Sequence, residues 1–153
     1  MSRKRCVRRV WTLVNPITHA IEGARMTPEE VLDGVRMREL SAVDAFAHGH
    51  ATLHHWHDLT AMMNLCESMA RNKIGPEALP ACQEAQAHLI DAQQRFERIG
   101  KMGMTGPGIE AMRELYRWHD AQRQAVSRGE YERQIKNAKN RVKSKAREVV
   151  ELK

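Results

Sequence analysis

Apolar residues recur along this chain in steps of three and four, the spacing that lines one face of an α-helix. The cleanest run is Cys82, Ala85, Leu89, Ala92, Phe96 and Ile99, a seam suited to bundle packing. A second run, Leu53, Trp56, Leu59, Met63, Cys66 and Ala70, predicts a helix from about His50 to Asn72. A third helix is expected over 27–47, with Val31, Val35, Ala42, Val43 and Phe46 gathered on one side. Glu39 lands among those apolar positions, which calls for a kink or a paired carboxylate. A fourth helix runs from near Gly108 with Ile109, Met112, Leu115, Tyr116 and Val126. The last places Tyr131, Ile135, Ala138, Val142, Ala146 and Val149 along one stripe.

The punctuation agrees with this division. "TPEE" (Thr27 to Glu30) predicts a helix start with Thr27 as cap, Pro28 at the first helical position and Glu30 reaching back. "SRGE" (Ser127 to Glu130) has the same spacing and predicts a new helix rather than a continuation of the fourth. "KIGPEALP" breaks the chain, because Pro80 does not sit deep inside a helix begun at Pro76. "GKMGMTGPG" is expected to be the most flexible loop and a place for a functional contact.

Composition narrows the fold. Of 153 residues, 42% are hydrophobic but only 5% aromatic, while Met, Ala and Leu, strong helix formers, are plentiful. The expectation is an all-α, single-domain helical bundle of four to five helices. A basic N-terminal arm covers 1–26 and the bundle 27–153, ending in a basic amphipathic helix over 131–153. Cys6, Cys66 and Cys82 are odd in number and lack CxxC spacing, which suits free thiols in a reducing compartment. The apolar stretch after "MSRKRCVRRV" is too short for a signal peptide, and no run approaches a membrane span. The expected location is the cytoplasm, with no membrane contact.

Charge sharpens the picture further. The net +6 is not spread evenly: Met1 to Ile21 holds five basic residues and no acid, and Arg133 to Lys153 eight basic and two acidic. The stretch between is acidic. Arg3, Lys4, Arg5, Arg8 and Arg9 precede Trp11, a grouping compatible with phosphate contacts and a stacking aromatic. Lys136, Lys139, Lys143 and Arg147 form a stripe beside the apolar one of the last helix, with Arg133 at its margin. Such a helix docks its apolar side on the bundle and presents its cations to an anion or an acidic protein.

Five of the eight histidines fall between His48 and Asp58. On a helix begun at His50, His50, His54 and His57 share one side, and the i, i+4 pair would chelate zinc or nickel with His57 or Asp58. Without HExxH or a nearby cysteine pair, the cluster reads as a polar solvent-facing surface, with these three as the metal candidates; no cofactor is expected. His119 lies on an apolar side and is expected to join Asn64 and Glu67 in a buried polar network. No Walker loop, nucleophile elbow or Cys/His frame is present, so no catalytic residue is assigned and an enzyme is not expected. The helical seams serve packing within the chain or between copies, so a homo-oligomer remains compatible.

Four segments, "RKRCVRR", "WHDLTAMMNLCESMARNKIG", "LPACQEAQAHL" and "HDAQRQAVSRGEYERQIKNAKNRV", resemble a family of small uncharacterised proteins encoded by proteobacterial phages, prophages and related mobile elements. The likeness runs from about Arg3 to Val142 and implies a genomic setting rather than an activity. Within that setting the first expectation is an accessory protein contacting nucleic acid or a ribonucleoprotein through its basic ends. The second is an inhibitor or adaptor of a host protein complex, anti-CRISPR-like in manner; the third, a metal-dependent helical enzyme.

Overall fold

The computed structural model describes residues 16–144, and over these the chain is entirely helical apart from its connections. Six α-helices appear among the described residues, not four or five: α1 (Pro16–Ala24), α2 (Glu29–Ala47), α3 (Leu53–Arg71), α4 (Leu79–Ile99), α5 (Gly106–Ala125) and α6 (Arg128–Lys143). A single 3-10 turn, Pro76–Ala78, separates α3 from α4. The additional helix is α1, which falls within the stretch expected to be arm. Ile17, Ala20, Ile21 and Ala24 keep the helical spacing, but a pattern of only nine residues is too short to stand out. Residues 1–15 and 145–153, and with them Arg3, Lys4, Arg5, Arg8, Arg9, Trp11 and Arg147, lie outside the described residues.

The centre of the bundle is α3. Eleven of its nineteen residues are buried, and it packs against α2, α4, α5 and α6. The predicted stripe does this work: Trp56, Leu59, Met63, Cys66 and Ala70 are buried, joined by Met62 and Met69. Trp56 donates its indole N–H to the Leu89 carbonyl across 2.9 Å, tying α3 to α4 at the one polar atom of that ring. On α4 the seam buries Cys82, Ala85, Leu89 and Ala92, but it fades at the C-terminal end, where Ile99 is exposed just before the left-handed Gly100. On α2, Leu32 takes the core position and Val31 faces solvent. The loop Lys101–Thr105 is pinned rather than loose, since Met102 inserts into the core and Met104 packs against it.

Caps decide where helices begin. Ser127 behaves as expected, its hydroxyl accepting from the Glu130 N–H at 3.3 Å, and α5 ends at Ala125. Thr27 does not cap. Pro28 is extended (φ −58°, ψ 142°), α2 starts one residue later than expected, and the Thr27 hydroxyl is buried without a partner. Only the Pro28 carbonyl serves the first turn, accepting from Val31 and Leu32.

The principal contact of α1 is with α6. Gly23 and Gly129 meet there, and a Cβ placed on Gly129 would stand 3.0 Å from the Gly23 carbonyl oxygen. The approach is tight at Gly129 alone, since a Cβ on Gly23 would meet the Gly129 Cα at 3.7 Å, an ordinary contact. The Arg128 N–H donates to the Arg25 carbonyl at 2.8 Å and closes the junction.

Candidate binding surface

Two polar clusters occupy the described structure, and one of them is sealed inside it. Arg123, fully buried on α5, places its two terminal nitrogens 2.9 and 2.8 Å from the two oxygens of Glu39 on α2. Glu39 is therefore the paired carboxylate that its position demanded. Arg123 also reaches Asp120 at 3.2 Å, and Asp120 accepts from Arg36, which continues to Glu29 and Asp33 at the surface. The chain of charges runs from a dry centre to water with an opposite partner at each step.

His119 abuts this cluster. The Gln122 amide spends its N–H groups on the carbonyls of Cys66 and Ile74, at 3.2 and 2.8 Å, so its oxygen faces His119 Nδ1 at 3.3 Å. That arrangement assigns the proton to Nδ1 and leaves Nε2 as a lone pair, 4.0 Å from a Glu39 oxygen and without a hydrogen bond. Burial, reinforced by the Arg123 charge, drives the imidazole pKa down to about 3. His119 is thus a neutral core histidine, and it lines none of the four main cavities among the described residues.

The expected network of His119 with Asn64 and Glu67 does not form. All three are buried, but Glu67 pairs with Arg71 at 2.9 Å and faces Arg141 at 3.6 Å, while the Asn64 side-chain oxygen has no hydrogen bond. The partners of His119 come instead from its own helix and from α2, because Gln122 lies one turn away. Neither buried thiol suits nucleophilic chemistry. The Cys66 thiol, hydrogen-bonded to Cys82 and removed from water, is held well above its ordinary pKa.

The histidine cluster resolves into local roles. α3 begins at Leu53, not His50, because Thr52 in extended conformation forms the cap. His55 occupies the third helical position and its Nδ1 accepts the Thr52 backbone N–H at 3.0 Å, the role usually taken by glutamate in a capping box. His50 therefore stands before the helix, and the i, i+4 chelate with His54 has no helical turn to build it. His54 leans on Asp58 at 3.4 Å, and His57 packs edge-on to Trp56. No group of three or more His, Cys, Asp or Glu among the described residues is placed to hold a metal ion.

The second cluster is open. α3 and α6 leave between them a groove of about 590 Å³, walled by Trp56, Ala61 and Leu65 on one side and Ile135, Ala138 and Val142 on the other. Lys139 and Lys143 stand along its α6 edge and His57 along its α3 edge. Among the described residues no carboxylate lines it. On α6 the arginines are neutralised: Arg128 by Glu132 at 3.1 Å, Arg133 by Glu130 at 2.8 Å, Arg141 by Glu67. Lys136, Lys139 and Lys143 make no ion pair among the described residues. Lys136 faces a different cleft, between α1 and α6, whose lining includes Glu22, Glu130 and Glu132. The expected cationic stripe is thus split, with only Lys139 and Lys143 beside an acid-free wall.

Thr60 and Asn64 also line the groove, and each is more than nine-tenths buried with an oxygen that has no hydrogen-bond partner. Sequence reasoning missed this site because its halves come from helices far apart in the chain. The one local sign was the pairing of Ala61 with Leu65, which widens the apolar face of α3 beyond its core stripe. Trp118 is half-buried against the core.

No family model, curated protein or solved structure matches this chain. No helix among the described residues is long and apolar enough to cross a membrane.

Proposed function

We propose that this protein is a non-enzymatic binding protein whose working surface is the α3/α6 groove, and that its target is a protein, as for an adaptor or inhibitor of a host complex. The observation that carries this reading is an apolar slot edged by two lysines that, among the described residues, have no ion pair and face no carboxylate. Water gains little from such a wall, whereas a protein segment with an apolar face and acidic flank gains burial and charge complementarity together. Residues 16–144 hold 17 basic and 17 acidic side chains, so the described body has no net charge to attract a polyanion as a whole.

The test is co-purification from the native host after nuclease treatment, comparing the natural chain with Ala61→Glu. Ala61 is exposed on the groove wall, so the variant folds but carries a bulky charge where the partner sits. A partner retained by the natural chain and lost by the variant is the expected result; equal capture by both would end the reading.

A second reading is favoured by a different observation. The entire net charge of +6 resides in residues 1–15 and 145–153, a layout suited to nucleic acid or a ribonucleoprotein held by the two ends with Lys136, Lys139 and Lys143 between them. It predicts that affinity for mixed DNA and RNA falls steeply with salt. Neutralising those lysines should lower the log–log salt slope by about one for each phosphate that a lysine had neutralised. Undetectable binding at low salt would remove it.

A further inference from the structure

We infer that the partner element seated in the α3/α6 groove is an acidic amphipathic α-helix of about three turns, a proposal that rests on the protein-partner reading. The shape argues first. Trp56 to Leu65 on α3 and Ile135 to Lys143 on α6 each span about 12 to 14 Å at 1.5 Å per residue, which is the length of two to three helical turns. A slot between two packed helices accepts the ridge of a third in the same way that helices within the bundle accept one another. The apolar walls call for residues at i, i+3 or i+4, and i+7 on the incoming helix.

Charge sets the sign. Lys139 and Lys143 stand four residues apart on one edge, so their ammonium groups follow one another by about 6 Å along α6. Asp or Glu at the same i, i+4 spacing on the partner meets both. Among the described residues no acid lines the groove, so none of them competes for those lysines there.

The floor sets no hydrogen-bond requirement. Thr60, at 6% exposure, and Asn64, at 8%, have side-chain oxygens that lie out of reach of solvent and so of an incoming side chain. The partner helix is therefore specified by its apolar stripe and its acids alone. The contact area of so short a helix lies below that of a standard stable interface, which points to micromolar affinity.

The experiment is selection from a displayed library of helical peptides on the full chain, with counter-selection on Ala61→Glu. Enriched sequences are expected to carry the i, i+3/i+4, i+7 apolar pattern with acids at i, i+4. Synthetic representatives should bind with micromolar Kd by fluorescence anisotropy and weaken at least tenfold on the double variant Lys139→Glu/Lys143→Glu. Peptides with Lys replacing those acids should then recover binding to the double variant. Enrichment of basic or patternless sequences, no enrichment over Ala61→Glu, or indifference to the lysine reversal would each overturn the inference. So would peptide binding that appears only after removal of residues 145–153, since the chain's own end would then be the occupant. If a host protein still co-purifies in an Ala61-dependent way while no acidic helix is selected, the helix assignment falls and the protein-partner reading stands.

Discussion

The interior cluster around Arg123 and the groove between α3 and α6 both put polar atoms among apolar side chains, but they answer those atoms differently. At the centre, the Arg123 guanidinium meets Glu39 through two bonds and Asp120 through a third, and the relay continues through Arg36 to the surface. In the groove, Thr60 and Asn64 are as buried as Glu39, yet their oxygens have no partner, and the neighbouring lysines face no acid among the described residues. Desolvation is costly in both places. The centre also leaves atoms unmet, His119 Nε2 and Arg123 Nε, so the difference lies in the charges. At the centre the fold pairs its own, and in the groove Lys139 and Lys143 stand open to a partner from outside.

The largest effect should follow from breaking the inner pair. Arg123→Met leaves Glu39 in the core without its counter-charge, and loss of one member of a buried pair costs about 3–5 kcal/mol. Urea denaturation should register that loss as a lower midpoint with the slope unchanged. Replacing both partners, Glu39→Leu with Arg123→Met, should recover most of it, because the expense lies in the orphaned charge rather than in the missing attraction. If the single and double variants are equally destabilised, the pair is contributing packing alone.

A smaller effect appears with pH. His119 is faced by Glu39 from α2, by Gln122, Asp120 and Arg123 from its own helix, and by Tyr131 from α6. Burial first, and then Arg123, lowers its pKa from 6.5 to about 3. Between those values the unfolded chain takes up a proton that the folded chain refuses, so stability falls as the solution is acidified. From pH 7 to pH 5 the contribution is about 2 kcal/mol. Glu39 works in the opposite direction, since burial raises its pKa against the pull of Arg123. Comparing the natural chain with His119→Gln isolates the histidine: the slope of stability against pH over that interval should flatten in the variant. An unchanged slope would mean that His119 has the same pKa in the folded and the unfolded chain.

These two regions also mark what could be read from the residues alone. Glu39 and His119 announced themselves, being polar in otherwise apolar stripes, and burial at both positions follows from the helical period. The identity of the partner did not, because Arg123 stands 84 residues from Glu39 and no periodicity within one helix reports on another. For the same reason Asn64 and Glu67 were natural guesses for His119, yet the turn of α5 presents Gln122 instead. Long helices such as α3 and α4 were legible from repeated apolar spacing, and the start of α6 from its capping serine. The nine residues of α1 repeat too few times, and the extended Pro28 moves the start of α2 past the threonine that was expected to cap it. The groove lay furthest from view: it is a property of two stripes placed side by side, and only the packing of α6 on α3 creates it.

The smallest effect separates a structural from a receptive role for the groove floor. Thr60→Val keeps the shape of the side chain and removes the hydroxyl that has no partner. Had the hydroxyl been satisfied within the fold, its loss would destabilise by about 1 kcal/mol, the ordinary worth of an intramolecular hydrogen bond. Unsatisfied, it should leave stability unchanged or raise it by a similar amount, since a buried polar group is exchanged for an apolar one. The oxygen is closed to solvent, so the same substitution should leave capture of a partner unchanged. A variant that is both less stable and unimpaired in binding would show the hydroxyl to be part of the fold's own bonding, and would bring the groove floor into line with the sealed cluster around Arg123.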